Sequence, residues 1–186
     1  MANEAFTVSR DKLNGPRDST ILITGGCSGI GLQTAILLHD LGNNVVVVDR
    51  AQPHPSAPAA LLSSARFLYQ QADVTDWKSQ RAAFEAAVKN FGSIDSVFVN
   101  AGIAEYKNQF FVDELDGDGL LKEPDKRVYN IDMNAANDTT RLAIYYLQNK
   151  KPGQKKGGSI VMTASLAGYL ASAGAPQYSA AKHGEF

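Results

Sequence analysis

Four consecutive valines, Val45 to Val48, constrain this chain more than any other feature. A strand with one wet face alternates apolar and polar residues, whereas an unbroken apolar run demands cover on both faces. In a chain of 186 residues that cover comes from helices packed on either side of a parallel sheet. The residues before the valines agree. Thr20 to Thr24 (Thr-Ile-Leu-Ile-Thr) reads as a short buried strand ended by glycines. Ile30, Ala35, Leu37, Leu38 and Leu41 then recur at helical spacing, and Gly42 stands where a helix stops.

The alternation continues downstream. Pro53, Pro55 and Pro58 mark a loop before a short helix through Leu61 and Leu62, and residues 67–74 read as a third strand. Asp76 is placed to cap a helix through Trp77, Phe84, Ala87, Val88 and Phe91, with Gly92 at its end. Residues 94–99 make a fourth strand, 104–126 are polar and irregular, 125–149 a long helix, and 158–162 a fifth strand. This order predicts an α/β fold: a doubly wound parallel sheet of about five strands with right-handed crossovers. Residues 1–18, punctuated by Asn14-Gly15-Pro16, are expected to be a flexible leader to one domain over 19–186.

Composition removes several functions. With 44% hydrophobic and 20% charged residues and a net charge of −1, the chain carries no electrostatic footprint for nucleic acid or anionic membrane. Lys150-Lys151 and Lys155-Lys156 around Pro152-Gly153 read as a solvated loop. No apolar run approaches the roughly 20 residues of a membrane helix, and the N-terminus lacks a signal peptide's apolar core. The single cysteine, Cys27, excludes an internal disulfide, so the cytoplasm is the expected compartment. His39, His54 and His183 show no paired ligand spacing, and no metal is expected. Residues 113–119 are acidic but lack the closing Glu of a calcium loop.

Chemistry concentrates at two places. Thr24-Gly25-Gly26-Cys27-Ser28-Gly29-Ile30-Gly31 joins the first strand to the first helix. Gly25 and Gly29 let the backbone bend and approach a pyrophosphate, Gly31 lets the helix pack closely, and the helix N-terminus offers free N–H groups. Asp49, at the end of the second strand, is placed to accept hydrogen bonds from an adenosine ribose. Its carboxylate would repel a 2′-phosphate by roughly 4 kcal/mol at ~4 Å and an effective dielectric near 20. That favours NAD, while the adjacent Arg50 leaves NADP open. A helix N-terminus lowers a thiol pKa, but Cys27 reads foremost as a small filler of the turn.

The second place is Tyr178-Ser179-Ala180-Ala181-Lys182. If Pro176 opens a helix, Tyr178 and Lys182 share one face. An ammonium beside a phenol favours the phenolate, so the pair can exchange a proton with a carbonyl or alcohol oxygen. Ser165, thirteen residues upstream beyond the fifth strand, is placed to donate a hydrogen bond to that same oxygen.

In order and spacing these segments resemble the short-chain dehydrogenase/reductase family, over nearly the whole chain. The resemblance implies a Rossmann-like fold and an NAD(P)-dependent oxidoreductase acting on a small secondary alcohol or ketone. It implies that Ser28 and Ile30 line the phosphate path and that Asp73 holds the adenine amino group with Val74 beside the ring. It also implies that Asn100, in Asn100-Ala101-Gly102, lies near the ribose and that Lys182 holds the nicotinamide ribose. Where the family has an Asn on its long helix, the resemblance, carried on Thr139-Thr140-Arg141-Leu142-Ala143, puts Asp132, with Asn130 and Asn134 two residues away. Family members continue past the Tyr/Lys helix and assemble as homo-oligomers. This sequence ends at Phe186, so the resemblance implies a C-terminally truncated member with a naked fifth strand, a Tyr/Lys helix of about ten residues and a doubtful oligomer. Two alternatives stand beside the enzyme: a catalytically impaired nucleotide-binding or scaffold protein, and a truncated, poorly folding product.

Overall fold

The computed structural model describes residues 17–107, 109–154 and 156–185, so most of the expected leader lies outside the described residues. Five strands form one parallel sheet: β1 (Thr20–Thr24), β2 (Asn44–Asp49), β3 (Phe67–Gln71), β4 (Ser96–Val99) and β5 (Ser159–Met162). Their order is β3-β2-β1-β4-β5. The chain winds outward one way from β1 through β2 and β3, then returns to wind the other way through β4 and β5. The reversal leaves a crevice at the carboxyl ends of β1 and β4, where such folds bind ligands.

The valine run behaves as its pattern demands. Val45 to Val48 are each no more than 1% exposed. Val45 and Val47 pack with Ile21, Ile23 and Ala35 of helix α1 (Gly29–Asp40). Val46 and Val48 pack with Phe84 of α3 (Trp77–Phe91) and Ala143 of α4 (Ala136–Gln148), the short helix α2 (Ala59–Leu62) lying between β2 and β3 in the chain. Asp76 caps α3, its carboxylate accepting from the N–H groups of Lys78 and Ser79 at 3.2 and 3.1 Å. Gly42 and Gly92 end their helices at φ +93° and +86°, backbone that suits glycine.

Five expectations need adjustment. Strand β3 stops at Gln71, because Asp73 turns the chain by accepting from the Thr75 N–H and hydroxyl at 2.8 and 2.7 Å. Strand β4 begins at Ser96 rather than 94, and β5 at Ser159. The long helix begins at 127 rather than 125 and has a π-helical stretch, Tyr129–Ala135, within which Asp132 is wholly buried. The lysine loop is not all solvated: the Lys150 side chain is 4% exposed and pairs at 2.6 Å with Asp95, whose other oxygen accepts from the Thr20 N–H. Lys155 lies outside the described residues.

The sheet ends unevenly. β5 is an edge, with Ser159 and Val161 open to solvent. Beyond it come a 3₁₀ turn (Leu166–Gly168) and helix α5 (Pro176–His183), eight residues long, which packs on that turn and on the π-helical stretch. Among the described residues no helix is long and apolar enough to cross a membrane.

Candidate active site

The crevice has a volume of about 640 Å³ and runs from the glycine turn to α5. Its lining includes Gly25, Ser28, Gly29 and Ile30 at the glycine turn and Asp132, Thr163, Tyr178 and Lys182 toward α5, with Asn100, after β4, between them. Asp49, Asp73 and Val74, after β2 and β3, line it on the other side of the glycine turn. Of the residues expected from sequence, Gly31 and Ser165 are not among those that line it.

At the turn, the glycines do different jobs. Gly25 has φ +66°, and a Cβ there would stand 2.8 Å from the Cα of Ala101. A Cβ on Gly31 would meet the carbonyl oxygen of Gly25 at 2.2 Å, so α1 presses against the strand end only because that position is bare. Gly29 has φ +51° but nothing within 4 Å of its Cβ position, so its open side gives onto the crevice. Backbone can be approached closely here and the first N–H groups of α1 give onto the same space, a geometry that suits an anionic group. Asp49 braces the turn, its two carboxylate oxygens accepting from the N–H groups of Cys27 and Ala51, each at 3.0 Å. Burial, then the Asp49 charge, pushes the Cys27 thiol up to about 12, the opposite of the lowering a helix terminus alone would give.

Asn100 is a tie across three strands. Its amide nitrogen donates to the carbonyls of Thr24 and Gly25 at 3.1 Å, and its oxygen accepts from the Thr163 hydroxyl at 2.9 Å. Asp73 holds its charge readily: hydrogen bonds from Thr75 keep its carboxyl below the usual range, with a smaller contribution from Arg50. The turn carrying it is fixed from below by buried Gln80, which donates to the Val74 carbonyl and accepts from Thr139.

At the far end, Pro176 does open α5, and one turn separates Tyr178 from Lys182. The Lys182 Nζ lies 5.8 Å from the Tyr178 ring centroid. It donates to the Thr163 carbonyl at 3.1 Å and to Glu185 at 2.6 Å, with Asp132 at 3.7 Å. Asp132 accepts from the Ile103 N–H at 2.9 Å; burial drives its carboxyl above the usual range, against the pull of that N–H and of Lys182. Ser165 caps the 3₁₀ turn, its oxygen accepting from the Ala167 N–H at 3.2 Å while its own proton stays available.

Sequence reasoning missed four members of this arrangement. Thr24 and Thr163 anchor Asn100, Glu105 accepts from the Tyr178 N–H at 3.1 Å, and Glu185 pairs with Lys182. Only Glu185 left a signal, as an acid three residues after a lysine on a predicted helix.

With this geometry in view, comparison with known proteins is direct. The short chain dehydrogenase family profile matches residues 19–185, and the chain belongs to that family. It is 38% identical over 172 residues to the short-chain dehydrogenase/reductase ascJ of Acremonium egyptiacum, covering 92% of this chain and 55% of that protein. It is 35% identical to the cis-4-hydroxycyclohexanecarboxylate dehydrogenase of Sinomonas cyclohexanicum, covering 88% and 61%. The crystal structure of levodione reductase superposes with a TM-score of 0.72 at 29% identity, covering 90% and 62%. The chain thus spans between about half and two thirds of the length of these relatives.

Proposed function

We propose that this chain provides the cofactor crevice and the proton-transfer residues of an NAD(P)-dependent oxidoreductase acting on a small secondary alcohol or ketone. The observation that carries the reading is the crevice itself, which joins a bare-glycine phosphate cradle to a tyrosine and a lysine one helical turn apart. The family as a whole works with nicotinamide cofactors, and the relative named for a hydroxycyclohexanecarboxylate fits a secondary alcohol substrate.

The residues present suit such a cofactor. Gly25, Ser28, Gly29, Ile30 and Gly31 would receive the pyrophosphate, Asp49 the adenosine ribose, and Asp73 and Val74 the adenine. Asn100 and Lys182 would face the second ribose. Bound there, the nicotinamide supplies or accepts a hydride. Tyr178 gives a proton to the carbonyl oxygen in reduction and takes it from the alcohol in oxidation, acting as general acid or base. Lys182 supports the phenolate electrostatically, and Ser165 donates a hydrogen bond to the substrate oxygen. The Asp49 charge selects NAD over NADP.

The test is a pair of titrations. NADH fluorescence should rise on binding, with weaker binding of NADPH, and wild type should turn over a panel of cyclic and aliphatic secondary alcohols. Tyr178→Phe should keep NADH affinity and lose about 10²- to 10⁴-fold in rate, the range general acid–base catalysis supplies. Equal rates in the variant would overturn the role of Tyr178. Binding without turnover in the wild type would favour a nucleotide-binding module instead.

A further inference from the structure

Lys182, Asp132 and Glu185 form a buried cluster in which two carboxylates face one ammonium; their side chains are 5%, 0% and 6% exposed. The ammonium's nearest partners are the Thr163 carbonyl at 3.1 Å and Glu185 Oε1 at 2.6 Å, while Asp132 Oδ2 stands farther off at 3.7 Å. One oxygen on each acid is left over: Asp132 Oδ2 and Glu185 Oε2 are buried and accept no hydrogen bond. Fully ionised, the cluster would hold an uncompensated negative charge away from water, an arrangement that costs more than taking up a proton.

We propose that Asp132 carries that proton, on Oδ2, and that Glu185 is the positioning residue for Lys182. Asp132 is the acid that takes it because it is the more deeply buried of the two and Lys182 is held closer to Glu185; the Ile103 N–H, which by itself favours the charged form, occupies Oδ1 and leaves Oδ2 for the proton. The groups facing Asp132 are consistent from each side. The chain after β4 contributes the Ile103 N–H and the bare Gly102, whose Cβ position is 3.1 Å from Oδ2; α5 and the turn after it contribute Lys182 and Glu185. Protonated, Asp132 presents one acceptor and one donor, the pattern of an asparagine amide. The consequence for the site rests on the function proposed above: one ionised carboxylate offsets the lysine beside Tyr178, whereas two would outnumber it.

Carboxyl ¹³C NMR on Asp-labelled protein, without cofactor, tests the proton independently of turnover. The resonance lost in Asp132→Asn should titrate above the ordinary Asp range, near 4. Glu185→Gln removes the like charge and returns the lysine to Asp132, so the midpoint should move to lower pH. The melting temperature gives a second readout. A carboxyl whose folded pKa is raised stabilises the fold at low pH, and that stabilisation fades as pH rises through the folded value. Asp132→Asn should therefore gain on wild type as pH rises from about 4. An ordinary Asp132 midpoint, or one that Glu185→Gln leaves in place, overturns the proposal. Turnover failing with both shifts intact would instead count against the proposed reaction.

Discussion

The two ends of the crevice are held by different forces. At the glycine turn, position comes from main chain: Gly25 and Gly31 allow contacts no side chain would permit, and Asn100 and Asp49 fix the loop through backbone groups. Beneath it lie β1 and β2, covered on both faces. At the lysine end, position comes from charges. Glu105 holds the first turn of α5 through the Tyr178 N–H, Glu185 holds Lys182, and Asp132 holds the chain after β4 through Ile103. That end rests on an edge strand and an eight-residue helix, shorter than a helix that stands alone. The contrast teaches that the glycine end depends on bare positions where backbone meets backbone, and the lysine end on a buried lysine flanked by two acids.

The largest expected effect strikes the first end. Gly31→Ala puts a methyl 2.2 Å from the Gly25 oxygen and 2.9 Å from the Gly26 Cα, both backbone atoms that cannot swing aside. The turn must shift, so NADH binding should fall at least about tenfold and stability by about 1–3 kcal/mol. Gly29→Ala meets no atom and bears only the strain of its positive φ, about 1–2 kcal/mol. Fluorescence titration and thermal melting of the two variants check this. Equal binding by Gly31→Ala and wild type would break the claim that close packing shapes the cradle.

Much of this was legible in the residues, for reasons that differ along the chain. The valine run told of helices on both sheet faces because burial on both faces has no other apolar signature. The Tyr178 and Lys182 pairing was legible because four residues is one helical turn, and Pro176 marks where counting starts. What stayed hidden was long-range. Thr24 and Thr163 act on Asn100 across strands 76 and 63 residues apart in sequence, and no local pattern encodes such a bond. The π-helical stretch was equally silent, since Tyr129–Ala135 has the composition of ordinary helix. Asp73 was expected to close a strand, but its competition for Thr75 decided the turn.

A second effect, on stability alone, separates the sheet's supports. Val46 is fully buried between α3 and α4, and Val46→Ala should cost about 1.5–3 kcal/mol. Val161, on β5, is 55% exposed, and Val161→Ala should stay within about 0.5 kcal/mol. Urea melts of both variants decide it. Matching losses would mean that β5 is covered in solution, and the lysine end would then be as firmly founded as the other.

The smallest effect concerns Cys27, which sits in the turn 2% exposed with its N–H bonded to Asp49. Only the thiolate is an effective nucleophile, and burial beside that carboxylate raises the thiol to about 12. Iodoacetamide at pH 8 should therefore modify native protein far more slowly than protein unfolded in urea, where the thiol titrates near 8.5. The same shift has a consequence for stability. The unfolded chain gives up the thiol proton first, so stability should decline as pH climbs from the ordinary thiol range toward 12. Native labelling as fast as unfolded would show the turn opening freely on the timescale of the reaction. The glycine end would then be the looser of the two, and the order of the comparison would reverse.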